Sequence, residues 1–340
     1  MKIGIIGHFG GNKVFLDGQT IKTKEINKYL EDYYKIKTDK IDTYKNKYNL
    51  FKMIYLIIKI LKNNDIIIVI LSIRGYKIIT PILMFFNIFY KRRLFDIVIG
   101  KRYHIYKNNN IISRLSRKYE KIFIETSLIK KEYIKRNICN VEILNNFKRL
   151  NKGKVHITKN KIRLCTFSRV IKEKGINEAI EAIIKVNKRI KKDIFVLDIY
   201  GVISDSYKEE FNNIINNSPN YIEYKGEVDY NKSVDILNNY DVMLFLTYYH
   251  NEGFPGTIID AFYSGLPVIA TKWNSNLEVL KDNYTGLLVD INNIDQVVDK
   301  LIYLYNNKDI LNKMKENCLK ESDKYNPDKV MKVLINIIEE

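Results

Sequence analysis

Cysteine is scarce in this 340-residue chain: Cys139, Cys165 and Cys318 lie far apart, without a Cys-x-x-Cys pair or a Cys/His cluster. That pattern argues against a zinc site of ordinary spacing and against a disulfide framework, and it fits inert thiols in a reducing cytoplasm. Long apolar runs are lacking too. The longest uncharged apolar stretch, about Ile78 to Tyr90, falls short of the ~20 residues a membrane span needs. A secretory leader is not visible, because Met1-Lys2 runs straight into Ile3-Gly-Ile-Ile-Gly7, which reads as a strand and a glycine turn. No segment is of low enough complexity to suggest disorder. No RRM, KH or helix-turn-helix signature is present. A cytoplasmic protein, soluble or peripheral on the inner face of a membrane, is expected.

Hydrophobic residues make up 46% of the chain, enough for globular folding, and the length favours two domains over one. Charge is divided unevenly. Residues 1–150 hold 31 Lys and Arg against 12 Asp and Glu, whereas residues 151–340 hold 26 against 27. A basic half of this kind suits nucleic acid, an anionic membrane or an anionic substrate, and it is equally compatible with a solvated face that has no partner.

Along residues 1–150, apolar runs near 36–42, 66–72, 95–99, 121–124 and 141–144 alternate with helical patterns from Gln19 to Tyr34 and near 45–62, 77–91, 109–119 and 126–136. Such alternation predicts a doubly wound parallel sheet. The first strand is followed by Gly7-His-Phe-Gly-Gly-Asn12, whose glycines do not have the G-x-G-x-x-G spacing. The loop serves either close backbone approach to a phosphate or sugar, or a turn with positive φ. Ile78–Arg93 places Pro81 in its first turn and a Lys-Arg-Arg run at its end. It reads as a buried helix with a basic C-terminus or, more sharply, as an interfacial membrane helix. Residues 151–160 are polar and aperiodic and read as a linker between residues 1–150 and a second α/β domain over 161–324.

The second domain opens with a strand at Lys161–Phe167, and the loop after it carries Arg169 and Lys174. Cations at that position suit an anion clamp, or they form a solvated pair. Strands near 194–200, 221–225 and 241–246 follow. The most informative stretch is 247–280. A polar loop holds Glu252, Gly253, Pro255 and Gly256, a short helix is expected from Thr257 to Tyr263, Gly265 breaks it, and Pro267-Val-Ile-Ala reads as another strand. The loop sits where α/β folds bind ligands. The helix start favours an anion. Glu252 and Asp260, eight positions apart and about two turns into the helix, are expected to face one cleft. Carboxylates beside an anion site suit a ligand with both phosphates and hydroxyls, such as a nucleotide sugar.

Taken together, Ser168-Arg, Glu173-Lys-Gly, Gly226, Asn251-Glu-Gly-Phe-Pro-Gly, Asp260-Ala and Gly265-Leu-Pro-Val-Ile-Ala resemble the GT-B glycosyltransferases of family 4. The likeness is strong over about 161–290 and weaker through the N-terminal glycine loop. It implies two Rossmann-like domains facing across a cleft, with a helix from about 325 to 340 crossing back to the first. It implies that Arg169 and Lys174 neutralise a donor diphosphate and that Glu252 contacts the donor sugar. The backbone at Gly253, Phe254 and Pro255 would lie along that sugar, and Gly256 and Thr257 would start the helix under the phosphates. Asp260 stands where the family has a Glu that grips the ribose, one methylene shorter. Gly10 and Gly11 match the loop facing the donor phosphate. His104 falls in the region of the family's active-site histidine, with a structural histidine as the alternative, and His8 is a weaker candidate.

The resemblance further implies a retaining transfer from a nucleotide-diphosphate sugar, a UDP-sugar being expected, to a glycan or lipid-linked acceptor in cell-surface polysaccharide synthesis. No resident cofactor is expected. No Asp-x-Asp occurs, so cationic side chains rather than a metal are expected to meet the diphosphate. The basic half would hold the acceptor or rest on an anionic membrane, with no nucleic-acid partner. The competing readings are a nucleotide-sugar epimerase of the same fold and a basic membrane- or nucleic-acid-binding module.

Overall fold

The computed structural model describes residues 1–12, 18–45, 49–107, 110–158, 161–229 and 232–340. Parts of the helical patterns expected at 45–62 and 109–119, and the end of the expected linker at 159–160, lie outside the described residues. The chain divides into two compact units, Met1–Asn146 with Pro327–Glu340, and Phe147–Asn326.

The first unit runs β1 (Ile3–Gly7), α1 (Gly18–Asp32), β2 (Thr38–Asp42), α2 (Leu50–Asn63), β3 (Ile66–Ile70), α3 (Ile73–Tyr90), β4 (Arg93–Ile97), α4 (Ile111–Ser116), β5 (Lys121–Ile124), α5 (Ser127–Ile134) and β6 (Val141–Ile143). Its sheet is parallel throughout, with order β2-β1-β3-β4-β5-β6. β3 reads Ile-Ile-Ile-Val-Ile and every residue is buried, as a strand covered on both faces requires. The order reverses between β1 and β3, so the crevice at their C-terminal ends is the expected ligand position, and the Gly7–Asn12 loop leaves β1 there.

α3 begins at Ile73 rather than near 77, because the Ser72 side chain accepts a hydrogen bond from Gly75 N (3.3 Å) and caps the helix. Pro81 therefore lies inside the helix, not in its first turn as the sequence pattern suggests. Asn87 and Arg92 exchange hydrogen bonds (2.9 and 2.8 Å) and close its other end.

The second unit runs β7 (Ile162–Phe167), α6 (Ile176–Ile190), β8 (Phe195–Tyr200), α7 (Lys208–Asn216), β9 (Ile222–Gly226), α8 (Ser233–Leu237), β10 (Val242–Phe245), α9 (Gly256–Tyr263), β11 (Val268–Thr271), α10 (Asn276–Val279), β12 (Gly286–Val289), α11 (Ile294–Asn306) and α12 (Lys308–Glu321). The sheet order is β12-β11-β10-β7-β8-β9, again all parallel. Here the reversal lies between β7 and β10. Apolar residues of α6 and α11 pack on one face of this sheet, and those of α9 fill a second cluster.

Residues 151–158 carry neither helix nor strand and are tied to the second unit. Gly153 N donates to Tyr263 O (2.8 Å), and Thr158 and Lys315 both donate to Asp241 (2.6 and 2.7 Å). α13 (Pro327–Glu339) belongs to the first unit and packs on α1, where Tyr29 donates to Asp328.

Candidate functional site

The two loops that leave β7 and β10, the strands flanking the reversal, carry the predicted site residues of the second unit. After β7 the chain makes a short turn over Lys172–Lys174 and enters α6 through Gly175, at φ +74°. A Cβ there would stand 2.3 Å from Leu246 O, so this position takes glycine for both its backbone angle and its space. The close approach brings the β7 loop against the β10 loop. Tyr248 N then donates to Glu173 O (2.9 Å), and Trp273 Nε1 donates to Tyr249 O (2.9 Å).

Within that frame Lys174 forms an ion pair with Glu252, both side chains being largely covered. The Thr247 hydroxyl lies 3.3 Å from Glu252 Oε2 and 3.2 Å from Glu173 O, and its single proton serves one or the other. Arg169 and Lys174 both stand over the Tyr249 ring, each at 5.5 Å, and Lys174 also lies 5.4 Å from the Phe245 ring. The aromatic faces favour cations there. Arg169, Lys174 and Glu252 are thus brought together by one tyrosine and one ion pair.

Gly253, Phe254 and Pro255 continue the loop into α9. The Phe254 side chain is buried against Tyr325 (5.5 Å between rings). Gly256 and Thr257 form the first turn of α9, whose leading N–H groups have no partner within the helix. The Thr257 hydroxyl donates to Phe167 O (2.6 Å) and pins that turn to the end of β7. Two cations, a carboxylate and a helix start on adjacent loops can bind an anion and accept a hydrogen bond from a hydroxyl beside it.

Asp260 is the fifth residue of α9, one turn rather than two into the helix, and it is 3% exposed. Its partners are Lys148, in an ion pair, and Ser233, which donates to Oδ1 (3.2 Å). Burial pushes its carboxyl above the ordinary carboxylate range, and Lys148 works in the opposite direction. Glu252 shares neither partner. The sequence pattern did not point to Lys148 or Ser233, because one lies in the apparent linker and the other in a short helix without a motif. Tyr249 and Thr247 were also missed, although an aromatic residue between a strand end and an acidic loop is a usable signal.

In the first unit, Gly10 and Gly11 take φ of +80° and +58°. The Asp42 carboxylate accepts hydrogen bonds from Phe9 N (3.1 Å), Gly11 N (2.8 Å) and Tyr44 N (2.9 Å), so the loop is held from within and Gly11 N is already engaged. His8 Nδ1 lies 2.7 Å from Thr20 Oγ1. His104 is exposed on the short turn Tyr103–Ile105 that follows β4, its ring edge-on to Tyr103 at 6.4 Å. Among the described residues, no group of three or more His, Cys, Asp or Glu is placed to hold a metal ion.

The family model described as "Glycosyl transferases group 1" matches residues 147–321, just over half of the chain. The chain belongs to that family. An uncharacterised glycosyltransferase of Methanocaldococcus jannaschii is 26% identical over 236 residues, covering 67% of this chain and 58% of the relative. The GtfA subunit of the UDP-N-acetylglucosamine–peptide N-acetylglucosaminyltransferase of Streptococcus pneumoniae is 32% identical over 145 residues, 42% of this chain and 27% of the relative. The chain spans between 27% and 58% of the length of these curated relatives. Among solved structures, Anabaena HepE in complex with UDP superposes with a TM-score of 0.78 at 12% identity, over 100% of both chains. At that identity the likeness speaks for the fold. The fold of this group 1 member is α/β GT-B, with two Rossmann-like domains.

Proposed function

We propose that the chain is a retaining glycosyltransferase of family 4 type. It moves a sugar from a nucleotide-diphosphate sugar, with UDP as the expected nucleotide, to a glycan or lipid-linked acceptor in cell-surface polysaccharide synthesis. The observation that carries this reading is the Lys174–Glu252 pair, seated where the sheet order reverses and beside the start of α9. The named substrate of the GtfA relative and the UDP held by HepE support the choice of donor.

On this reading Arg169, Lys174 and the first turn of α9 stabilise the charge that develops on the departing diphosphate, with no metal required. Glu252 accepts a hydrogen bond from a donor-sugar hydroxyl, and the Gly253–Pro255 backbone lies along that sugar. The acceptor hydroxyl attacks the face that the diphosphate leaves, so no enzyme nucleophile is needed. Asp260 would accept from the ribose hydroxyls through the lone pairs that Lys148 and Ser233 leave open. His104 and the Gly10–Gly11 loop are assigned to the same reaction on the family resemblance. The basic first unit brings the enzyme to an anionic membrane at the cytoplasmic face.

The test is turnover of UDP-sugars by the wild type and by Glu252→Gln and Lys174→Met. Each variant is expected to lose at least about a hundredfold in turnover, the scale of removing one electrostatic contact to a transition state, while still folding cooperatively; Lys174→Met, which leaves Glu252 without its covered partner, should also melt at a lower temperature. Full activity in both variants would sink the assignment. Epimerised sugar formed without acceptor would replace it with the epimerase reading.

A further inference from the structure

Surface helices of soluble proteins turn apolar residues inward and polar ones outward. The inner side of α3 follows this pattern: Ile79, Leu83 and Met84 are buried in the core, and the hydroxyls of Tyr76 and Thr80 are satisfied by Ser116 (2.7 Å) and Tyr119 (3.1 Å). Its outer side departs from it and presents Ile78, Phe85, Ile88 and Phe89, which are 57%, 58%, 60% and 71% exposed. Their spacing of three, four and seven residues puts them on one stripe. No charged residue interrupts the sequence from Ile78 to Tyr90.

α2 packs beside α3 and likewise exposes large apolar side chains, Phe51 (86% exposed) and Tyr55 (62%). Cations border these residues. Lys59 and Lys62 are exposed on the second half of α2, Lys77 on α3 one residue ahead of the apolar stripe, and Lys91 at its end. The described residues of α2 and α3 include no acidic residue.

We propose that the outer face of α2 and α3 is a docking surface for an anionic lipid bilayer, with the Phe85–Ile88–Phe89 stripe inserted among acyl chains and the lysines on lipid phosphates. Charge complementarity selects this occupant. An apolar stripe alone would accept a second copy of the chain, but a collar of one sign would be brought against itself by a symmetric dimer and is matched by an anionic leaflet. The mode is interfacial, since among the described residues no helix is long and apolar enough to cross a membrane. The inference rests on the reading that the first unit works at a membrane, and it names the face that does so.

The experiment is co-sedimentation of the full chain with vesicles of phosphatidylglycerol and phosphatidylcholine, and with vesicles of phosphatidylcholine alone, at low and high salt. Alongside it run size-exclusion chromatography and UDP-sugar hydrolysis. The wild type is expected to bind the anionic vesicles, more weakly at high salt, and to prefer them to neutral ones. Phe85→Asp/Phe89→Asp, and independently Phe51→Ser, should each lower vesicle binding by about tenfold or more, the scale of one buried aromatic side chain. Lys59→Glu/Lys62→Glu should do the same at low salt only.

Hydrolysis of the soluble donor should be unchanged in all of these variants. Loss of donor turnover in the wild type with vesicle binding intact would count against the enzymatic reading and leave the surface standing. Vesicle binding that survives the Phe85→Asp/Phe89→Asp change overturns the proposal. So does a wild-type dimer that ignores vesicles and becomes monomeric in that variant, which would assign the face to a second copy.

Discussion

Asp260 is a buried carboxylate, and Lys148, from the segment entering the second unit, reaches in to pair with it. Two charges so covered hold each other in place, and removing one strands the other. Lys148→Met is therefore expected to cost about 3–5 kcal/mol of unfolding free energy, measured by urea denaturation. Adding Asp260→Asn should restore part of that loss. Lys22 offers a second test at the same scale. It is buried, donates to Asn145 O (3.1 Å), and has its pKa lowered from 10.5 to about 7 by burial, against the pull of Glu125 and Glu25. Between those two values the unfolded chain holds a proton that the folded chain does not, so this residue makes stability rise with pH across that window. Melting temperatures from pH 7 to 9 should climb more steeply in the wild type than in Lys22→Met. Equal slopes would place the lysine in a more solvated setting.

At the scale of elements, the site depends on two loops held in contact. Gly175→Ala would force a Cβ to 2.3 Å from Leu246 O at φ +74°. A loss of about 1–3 kcal/mol is expected from such backbone strain, together with weaker donor binding as Lys174 shifts; denaturation midpoints and donor titration check both. Strands rich in Ile, Val and Phe were legible because burial on both faces leaves a continuous apolar run, as in β3. β4 starts two residues before the apolar run at 95–99: Arg93 and Leu94 already pair with Ile66 and Ile67, and Arg93 keeps its charge at the edge by pairing with Glu120. β12 leaves no clear signal in the sequence, since Gly-Leu-Leu-Val is too short to stand out. The Glu252 loop, Arg169 and Lys174 were legible because motif spacing fixes their place on adjacent strand ends. Lys148 and Ser233 were not, because their contact with Asp260 spans 112 and 27 residues of sequence and belongs to packing alone.

For the whole molecule, donor binding should register as stability. UDP at a hundred times its dissociation constant would add about 2.7 kcal/mol to the folded state. Glu252→Gln is expected to leave the UDP-induced rise in melting temperature intact and to abolish the additional rise given by the sugar of the full donor. A variant that lost both would place Glu252 on the phosphates instead. Thermal shift with UDP and UDP-sugars in parallel separates the two.

The return of α13 to the first unit has a consequence for how the protein is made. Residues Met1–Asn146 leave the ribosome first, yet the helix that packs on α1 and supplies Asp328 to Tyr29 leaves after the whole second unit. The side of α1 that α13 covers stays bare through all of that interval, so the first unit is begun early and finished late. A stop after Asn326 would then injure the domain made first and spare the one made last.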